Sequence, residues 1–159
     1  MSKSSIFKKN RLDAKQLRTV AERRFGDANA LRDTGLNPRA NGAMYLGGFV
    51  VECLLKAKLL ERFPWLENDH PPQGRSKEDS HLWSLCYRSH ALDEILAKVP
   101  AVTEKLSQLE QREANRLTQS LKSICADWTI FARYSTHNAN INDARAFLDK
   151  IKEIKKWLT

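Results

Sequence analysis

One long apolar segment, residues 38–63, constrains this chain more than any other feature of its sequence. Its apolar side chains fall on nearly every face of a helix: Leu46, Phe49, Val50, Val51, Cys53, Leu54, Leu55, Ala57, Leu59 and Leu60. The segment is too long for a buried strand, Asn37-Pro38 is typical of a helix start, and Pro64 lies just beyond its end. A helix that is apolar on nearly every face is covered by neighbours on several sides. The sequence therefore predicts a central helix within a helical bundle.

Other segments repeat apolar residues at helical spacing, which predicts further helices around the central one. They are residues 11–32, residues 82–96 with a bend around Ser89, residues 103–128 and residues 144–158. The 159 residues include only 6 Gly and 5 Pro, too few for a fold of many short strands and turns. The polar segment 68–80, with Pro71, Pro72 and Gly74, predicts a loop. We therefore expect an all-α single domain over residues 1–159, an antiparallel bundle of four to five helices.

The charge balance favours polyanionic partners. The chain carries 27 Lys and Arg against 19 Asp and Glu, a formal net charge of +8. A cationic surface raises the local concentration of polyanions, so nucleic acid or an acidic protein is the natural partner class. A basic surface that serves only solubility is an equally weighted alternative.

The cysteines and the apolar segment indicate the cellular compartment in which the protein is expected. Cys53, Cys86 and Cys125 are odd in number and far apart, which argues against a disulfide framework and a structural zinc site. Residues 1–10 contain no apolar signal segment, and Glu52 and Lys56 interrupt the central run, so it cannot span a bilayer. We expect a cytoplasmic protein with no membrane association.

Three passages in fixed order carry a family resemblance. They are AMYLGGFVVECLLKAKLLE (residues 43–61), HLWSL (residues 81–85) and DWTIFARYS (residues 127–135), followed by an amphipathic segment. Over residues 40–158 the chain resembles the HEPN superfamily of small helical domains. The resemblance implies a HEPN-like bundle that commonly forms homodimers, often with an RNA-directed role in defence or toxin–antitoxin systems. A cognate antitoxin or a nucleotidyltransferase is the protein partner that it implies.

Catalytic members of that family carry an Arg, four to six residues and then a His. RNA cleavage by the 2′-hydroxyl needs a proton acceptor near pH 7, which His supplies, and a fixed cation on the phosphate, which Arg supplies. Here Arg133 and His137 are separated by three residues, one fewer than the pattern, and Arg75 to His81 has a matching spacing that begins inside the polar loop. The resemblance implies that Arg133 binds phosphate and His137 is the base. Alternatively, Arg133 pairs with a buried carboxylate such as Glu52, and His137 is a solvated or capping loop residue.

Further residues are candidates for substrate binding. Glu52 lies in the most apolar helix, where a carboxylate needs an ion pair or a polar groove. Tyr134, with Trp83 and Trp128, has the ring type that stacks on bases of single-stranded RNA, although Trp128 at helical spacing is more typical of a core residue. His81 either caps the third helix or faces a cleft.

These observations support two hypotheses. The first is an RNA-directed HEPN protein, a metal-independent endoribonuclease that acts as a dimer. The second is a non-catalytic HEPN module that binds nucleic acid, a nucleotide or a partner nucleotidyltransferase, which the short Arg133–His137 spacing favours. The sequence contains no glycine-rich phosphate loop, paired-carboxylate signature or metal-ligand cluster, so we expect no cofactor and no metal.

Overall fold

The computed structural model describes residues 12–67 and 70–159, and its regular structure in these ranges is entirely helical. Seven α-helices follow one another: α1 (Ala14–Asp33), α2 (Ala40–Arg62), α3 (Lys77–Tyr87), α4 (Leu92–Ala97), α5 (Pro100–Ser107), α6 (Gln111–Asp127) and α7 (Ile141–Leu158). Short 3-10 turns lie at Asn37–Arg39, Pro64–Glu67 and Ile130–Tyr134. The predicted all-α class is confirmed for the described part of the chain.

Helix α2 is the central helix that its apolar sequence predicted. It packs against α1, α4, α7 and the Ile130–Tyr134 turn, and residues such as Val50, Leu54 and Leu55 are fully buried. Gly48 lies directly against the Trp128 indole, where any larger residue would overlap the ring. The core that surrounds α2 includes side chains from all seven helices. Across the described ranges, no helix is both long and apolar enough to cross a bilayer.

The prediction of four to five helices is wrong, because two predicted helices are each interrupted. The segment 82–96 divides into α3 and α4 at a turn where the Ser89 hydroxyl accepts a hydrogen bond from the Ala91 N–H at 3.0 Å. The segment 103–128 divides at residues 108–110, and its first part begins earlier than predicted, at Pro100. Proline suits this first helical position because its missing N–H is not needed there. Apolar residues continue at helical spacing across both breaks, so the periodicity of the sequence did not predict them.

The predicted loop 68–80 is shorter than expected. Ser76 caps α3 by accepting a hydrogen bond from the Asp79 N–H at 3.1 Å, so the helix begins at Lys77. Because α3 begins at Lys77, His81 lies inside this helix, and the prediction that it caps the helix is wrong. Asn68 and Asp69 lie outside the described residues, as do residues 1–11.

Helix α1 runs antiparallel to α2, as predicted. Near its start, Arg18 forms an ion pair with Glu61 at the end of α2. Near its end, the Leu31 side chain adjoins Gly42 at the start of α2. The short connection between the two helices is typical of antiparallel neighbours.

Helix α7 runs parallel to α2, so the prediction of an antiparallel bundle is wrong for this pair. The Asn37 side-chain oxygen accepts a hydrogen bond from the Ile141 N–H at 2.9 Å, which joins the two starts. Gly47 lies against Leu148 further along both helices. The segment between α6 and α7 returns the chain to the start of α2, so α7 begins there and runs parallel to α2. That segment carries the late part of the family-like sequence.

Candidate functional site

The turn Ile130–Tyr134, which we call the aromatic ridge, presents two large aromatic side chains to solvent. Phe131 is 71% exposed and Tyr134 is 68% exposed. Trp128, just before the ridge, is buried in the core and donates a hydrogen bond from Nε1 to the Tyr45 carbonyl at 3.2 Å. The buried indole fixes where the chain leaves α6, and the short 3-10 turn then directs the next aromatic rings outward. Trp128 is thus the core residue that its spacing suggested.

The Arg133 side chain is exposed and lies over the Tyr134 ring, with its guanidinium carbon 4.7 Å from the ring centroid. A cation over an exposed aromatic face is stabilised by about 0.5–1 kcal/mol. The alternative that Arg133 pairs with Glu52 is wrong, because Glu52 is buried and has other partners. The ridge therefore combines aromatic faces with a fixed guanidinium.

His137 is held through its backbone rather than its ring. Asn41 donates a hydrogen bond to the His137 carbonyl at 2.6 Å and accepts one from the Ala139 N–H at 2.8 Å. The exposed side chain lines a groove of about 530 Å³ together with Phe131, whereas Arg133 does not line it. Arg133 and His137 therefore occupy one surface segment without sharing this groove. Their predicted roles as phosphate ligand and base stay predictions.

Glu52 forms a buried ion pair, one of its two predicted alternatives. The carboxylate is 5% exposed, and Lys56, at 7% exposed, donates a hydrogen bond to its Oε1 at 2.8 Å. The same ammonium donates to the Ser89 carbonyl at 2.9 Å. Buried charges in a low-dielectric core need such partners, because an isolated one is strongly destabilising. This pair ties α2 to the turn between α3 and α4.

His90 completes this charged cluster, and the sequence analysis did not identify it. Its Nδ1 lies 3.0 Å from each oxygen of the Glu52 carboxylate, and its ring packs edge-on against Phe49. An ionised carboxylate only accepts hydrogen bonds, so this contact selects, for a neutral imidazole, the tautomer with its proton on Nδ1 and its acceptor at Nε2. The His90 side chain is 38% exposed, so part of the ring is open to solvent.

The His90 ring lines a second groove, of about 480 Å³, beside the aromatic ridge. Arg88 and Asp93 contribute charged groups to it, and Phe131 forms part of its wall. The Arg88 guanidinium lies over the Trp83 ring, 5.0 Å from the centroid. A histidine and an arginine, the residue types predicted to act at Arg133 and His137, therefore both line this groove. Phe131 separates it from the groove of His137.

The remaining candidates lie away from these grooves. His81 is exposed on α3, with Nε2 3.9 Å from an oxygen of Glu94, and it lines neither groove. Arg75, which matches the family spacing to His81, lies over the Trp65 ring instead. Trp83 is buried, so it is not free to stack on bases. Of the three predicted substrate-binding residues, Tyr134 alone is exposed on the ridge, whereas Glu52 is buried behind His90.

One sequence signal pointed toward His90. Glu52 and Lys56 are charged residues one helical turn apart inside an otherwise apolar helix, which requires further polar partners from another element. The polar interruption Arg88-Ser89-His90 between two apolar segments supplies them. Periodicity alone does not reveal which of the four histidines of the chain meets Glu52.

The described residues contain no group of three or more His, Cys, Asp or Glu side chains arranged to hold a metal ion. Comparison of the chain with protein-family models, with curated proteins and with solved structures gives no match. The ridge and its two grooves are therefore the candidate functional site.

Proposed function

We propose that this chain is an RNA-directed protein that binds single-stranded RNA across the aromatic ridge. The observation that carries the proposal is the exposure of Phe131 and Tyr134 on one turn, with the Arg133 guanidinium against the Tyr134 ring. Bases of single-stranded RNA stack on such rings, and arginines bind the phosphates between them. The formal net charge of +8 supports the same partner class.

The grooves on either side of the ridge give the RNA strand a path. Phe131 belongs to both grooves, Arg88 lies in one and His137 in the other. A strand that crosses the ridge would place successive bases on Phe131 and Tyr134. Base–aromatic stacking contributes about 1–3 kcal/mol per base, independently of base identity. We therefore propose binding with little sequence preference.

For the endoribonuclease form of this function, we propose His90 as the proton acceptor and Arg88 as the phosphate cation. His90 Nε2 would take the proton of a ribose 2′-hydroxyl, whose oxygen attacks the adjacent phosphorus. The bond from phosphorus to the 5′-oxygen then breaks, this oxygen takes up a proton from solvent water, and His90 returns its proton to solvent. The products are a 2′,3′-cyclic phosphate and a 5′-hydroxyl. Glu52 fixes the imidazole tautomer, and Arg88 balances the charge that develops on the phosphate.

Membership of the HEPN superfamily and action as a homodimer belong to this proposal through the sequence resemblance. The family pattern assigns catalysis to Arg133 and His137 instead, and these residues lie on the same surface. The non-catalytic alternative, a HEPN module that binds without cutting, needs the same ridge. A cleavage experiment with matched variants separates these forms.

The test combines binding and cleavage of a fluorescently labelled single-stranded RNA in EDTA. Wild type is expected to bind, and Phe131→Ala/Tyr134→Ala to bind at least ten-fold more weakly because two stacking platforms are lost. Leu36→Ala, which removes an exposed apolar side chain that is not part of the ridge, is the control and is expected to bind normally. Equal affinity of all three proteins contradicts the binding proposal.

Cleavage is followed in the same samples with His90→Ala, His137→Ala and, as a control, His81→Ala. The proposal predicts that His90→Ala binds RNA normally and does not cut it, whereas the other two variants cut. A DNA of the same sequence, which lacks the 2′-hydroxyl, is expected to stay intact. Loss of cleavage in His137→Ala alone would assign the reaction to the family pair. Binding without cleavage by wild type would establish the non-catalytic module.

A further inference from the structure

A separate groove lies where the C-terminal end of α2 meets α5 and α7. Its apolar lining comes from Val99, Val102, Trp157 and Leu158, and its volume is about 390 Å³. Sites for small molecules are apolar clefts of roughly 300–1,000 Å³ with a few polar groups that orient the ligand. The groove has this size and this composition.

Cations dominate the rim of this groove. Lys58, Arg62 and Lys105 line it, and Glu61 is the acidic residue among the lining side chains. Glu61 is already paired, with Arg18 and with Lys58, whose Nζ is 3.5 Å from its Oε2. The rim therefore keeps an excess of positive charge over an apolar floor.

The cations of the rim act on one another, and one of them lies over the aromatic wall of the groove. Burial lowers the pKa of Lys58, and the neighbouring charges of Arg18 and Lys105 lower it further. The Lys105 ammonium lies 5.2 Å from the centroid of the Trp157 ring, which places a cation directly above the aromatic wall. A bound anion would relieve this mutual repulsion, whereas a neutral ligand would not.

We propose that this groove binds a small amphipathic organic anion. Its apolar body would lie against Val102 and Trp157, and its carboxylate would lie between the ammonium groups of Lys58 and Lys105. A free, monomeric anion is favoured because the cations line an apolar groove of about 390 Å³, a volume that matches a small ligand.

This site is independent of the proposed RNA surface. Trp128, at the base of the aromatic ridge, packs on Gly48, whereas the groove begins at Lys58 on the same helix. Ten residues of α-helix separate these positions, about 15 Å at a rise of about 1.5 Å per residue. Failure of either proposal leaves the other unaffected.

The test is isothermal titration calorimetry of the full chain with decanoate, decanol and acetate, each below its aggregation concentration. The inference predicts one decanoate site per chain, at least ten-fold weaker binding of decanol because the charge-assisted contacts are lost, and no measurable binding of acetate. Equal binding of decanoate and decanol would overturn the anion assignment. Absence of decanoate binding would overturn the site.

Matched variants place the ligand in this groove. Ala101 is exposed on α5 and lines the groove, so Ala101→Leu fills it without a core substitution and is expected to abolish decanoate binding. Lys105→Gln is expected to weaken binding about ten-fold through loss of a charge-assisted contact, while Lys122→Gln, exposed on α6, leaves it unchanged. If Ala101→Leu fails to fold, Lys58→Gln/Lys105→Gln provides a second test, which removes both ammonium groups without filling the groove. Binding that is equal in wild type and Lys58→Gln/Lys105→Gln would overturn the inference.

Discussion

The Glu52 carboxylate accepts a hydrogen bond from His90 Nδ1, with each of its oxygens 3.0 Å from that nitrogen. This contact joins the most buried helix to the turn between α3 and α4. It holds the imidazole at the edge of a groove, with Nδ1 engaged and Nε2 outside this contact. Lys56 supplies the compensating charge that allows Glu52 to be ionised inside the core.

Removing Lys56 tests the energetics of this cluster. We expect Lys56→Met to lower the free energy of unfolding by about 3 kcal/mol, because it leaves Glu52 buried without its main cation. Glu52→Gln/Lys56→Met removes the unpaired charge as well and is expected to recover much of the loss. Urea unfolding of both variants measures the difference. A Lys56→Met variant as stable as wild type would contradict the account of the buried pair.

The contact between α2 and Trp128 predicts a large difference between two glycine substitutions. Gly48→Ala places a methyl group inside the Trp128 ring and is expected to destabilise the protein by about 1–3 kcal/mol. Gly26→Ala, exposed in the middle of α1 with open space around it, is expected to stabilise by about 0.5–1 kcal/mol through helix propensity. Thermal unfolding of the two variants provides the comparison. Similar melting temperatures would show that the indole does not pack against Gly48.

Asn41 is expected to control the mobility of the segment that carries His137. Its side chain bonds the His137 carbonyl and the Ala139 N–H, so Asn41→Ala releases both backbone groups. We predict faster amide hydrogen exchange across residues 137–139, measured by mass spectrometry, with unchanged exchange in α5. Asn115→Ala, exposed on α6, is the control. Unchanged protection in Asn41→Ala would mean that other contacts hold this segment.

The cysteine thiols are expected to resist alkylation in the folded protein. Burial raises the pKa of Cys53 to about 11, with a smaller contribution from the Glu52 charge, and burial raises the pKa of Cys86 to about 11. Thiolate, rather than thiol, reacts with iodoacetamide, so little reaction is expected at pH 8 until urea unfolds the chain. Equal alkylation rates in the folded and unfolded protein would contradict the buried placement.

The same pKa shifts predict alkaline destabilisation. A folded-state pKa above the unfolded value of 9.0 means that the folded chain retains protons that the unfolded chain releases. The stabilising contribution is therefore complete below pH 9 and is lost as the pH rises toward about 11. Urea unfolding of wild type and Cys86→Ala between pH 8 and pH 11 checks the sign. A steeper decline in Cys86→Ala than in wild type would contradict it.

The sequence predicted α2 well because its apolar side chains surround the helix and leave no alternative to burial. It did not predict the breaks between α3 and α4 or between α5 and α6, because apolar spacing continues across them. The parallel direction of α7 comes from contacts between residues far apart in the chain, such as Asn37 with Ile141 and Gly47 with Leu148. Likewise, Glu52 was recognisable as a residue in need of a partner, but its contact with His90 is long-range.

Photo-crosslinking identifies the residues that RNA contacts, and it tests whether single-stranded RNA lies on the aromatic ridge. A uridine-rich RNA that carries 4-thiouridine is irradiated with the full chain, and the crosslinked peptides are identified by mass spectrometry. Our account predicts adducts at Phe131 or Tyr134, which excess unlabelled RNA removes. Adducts confined to other surfaces, or no competable adduct, would contradict it.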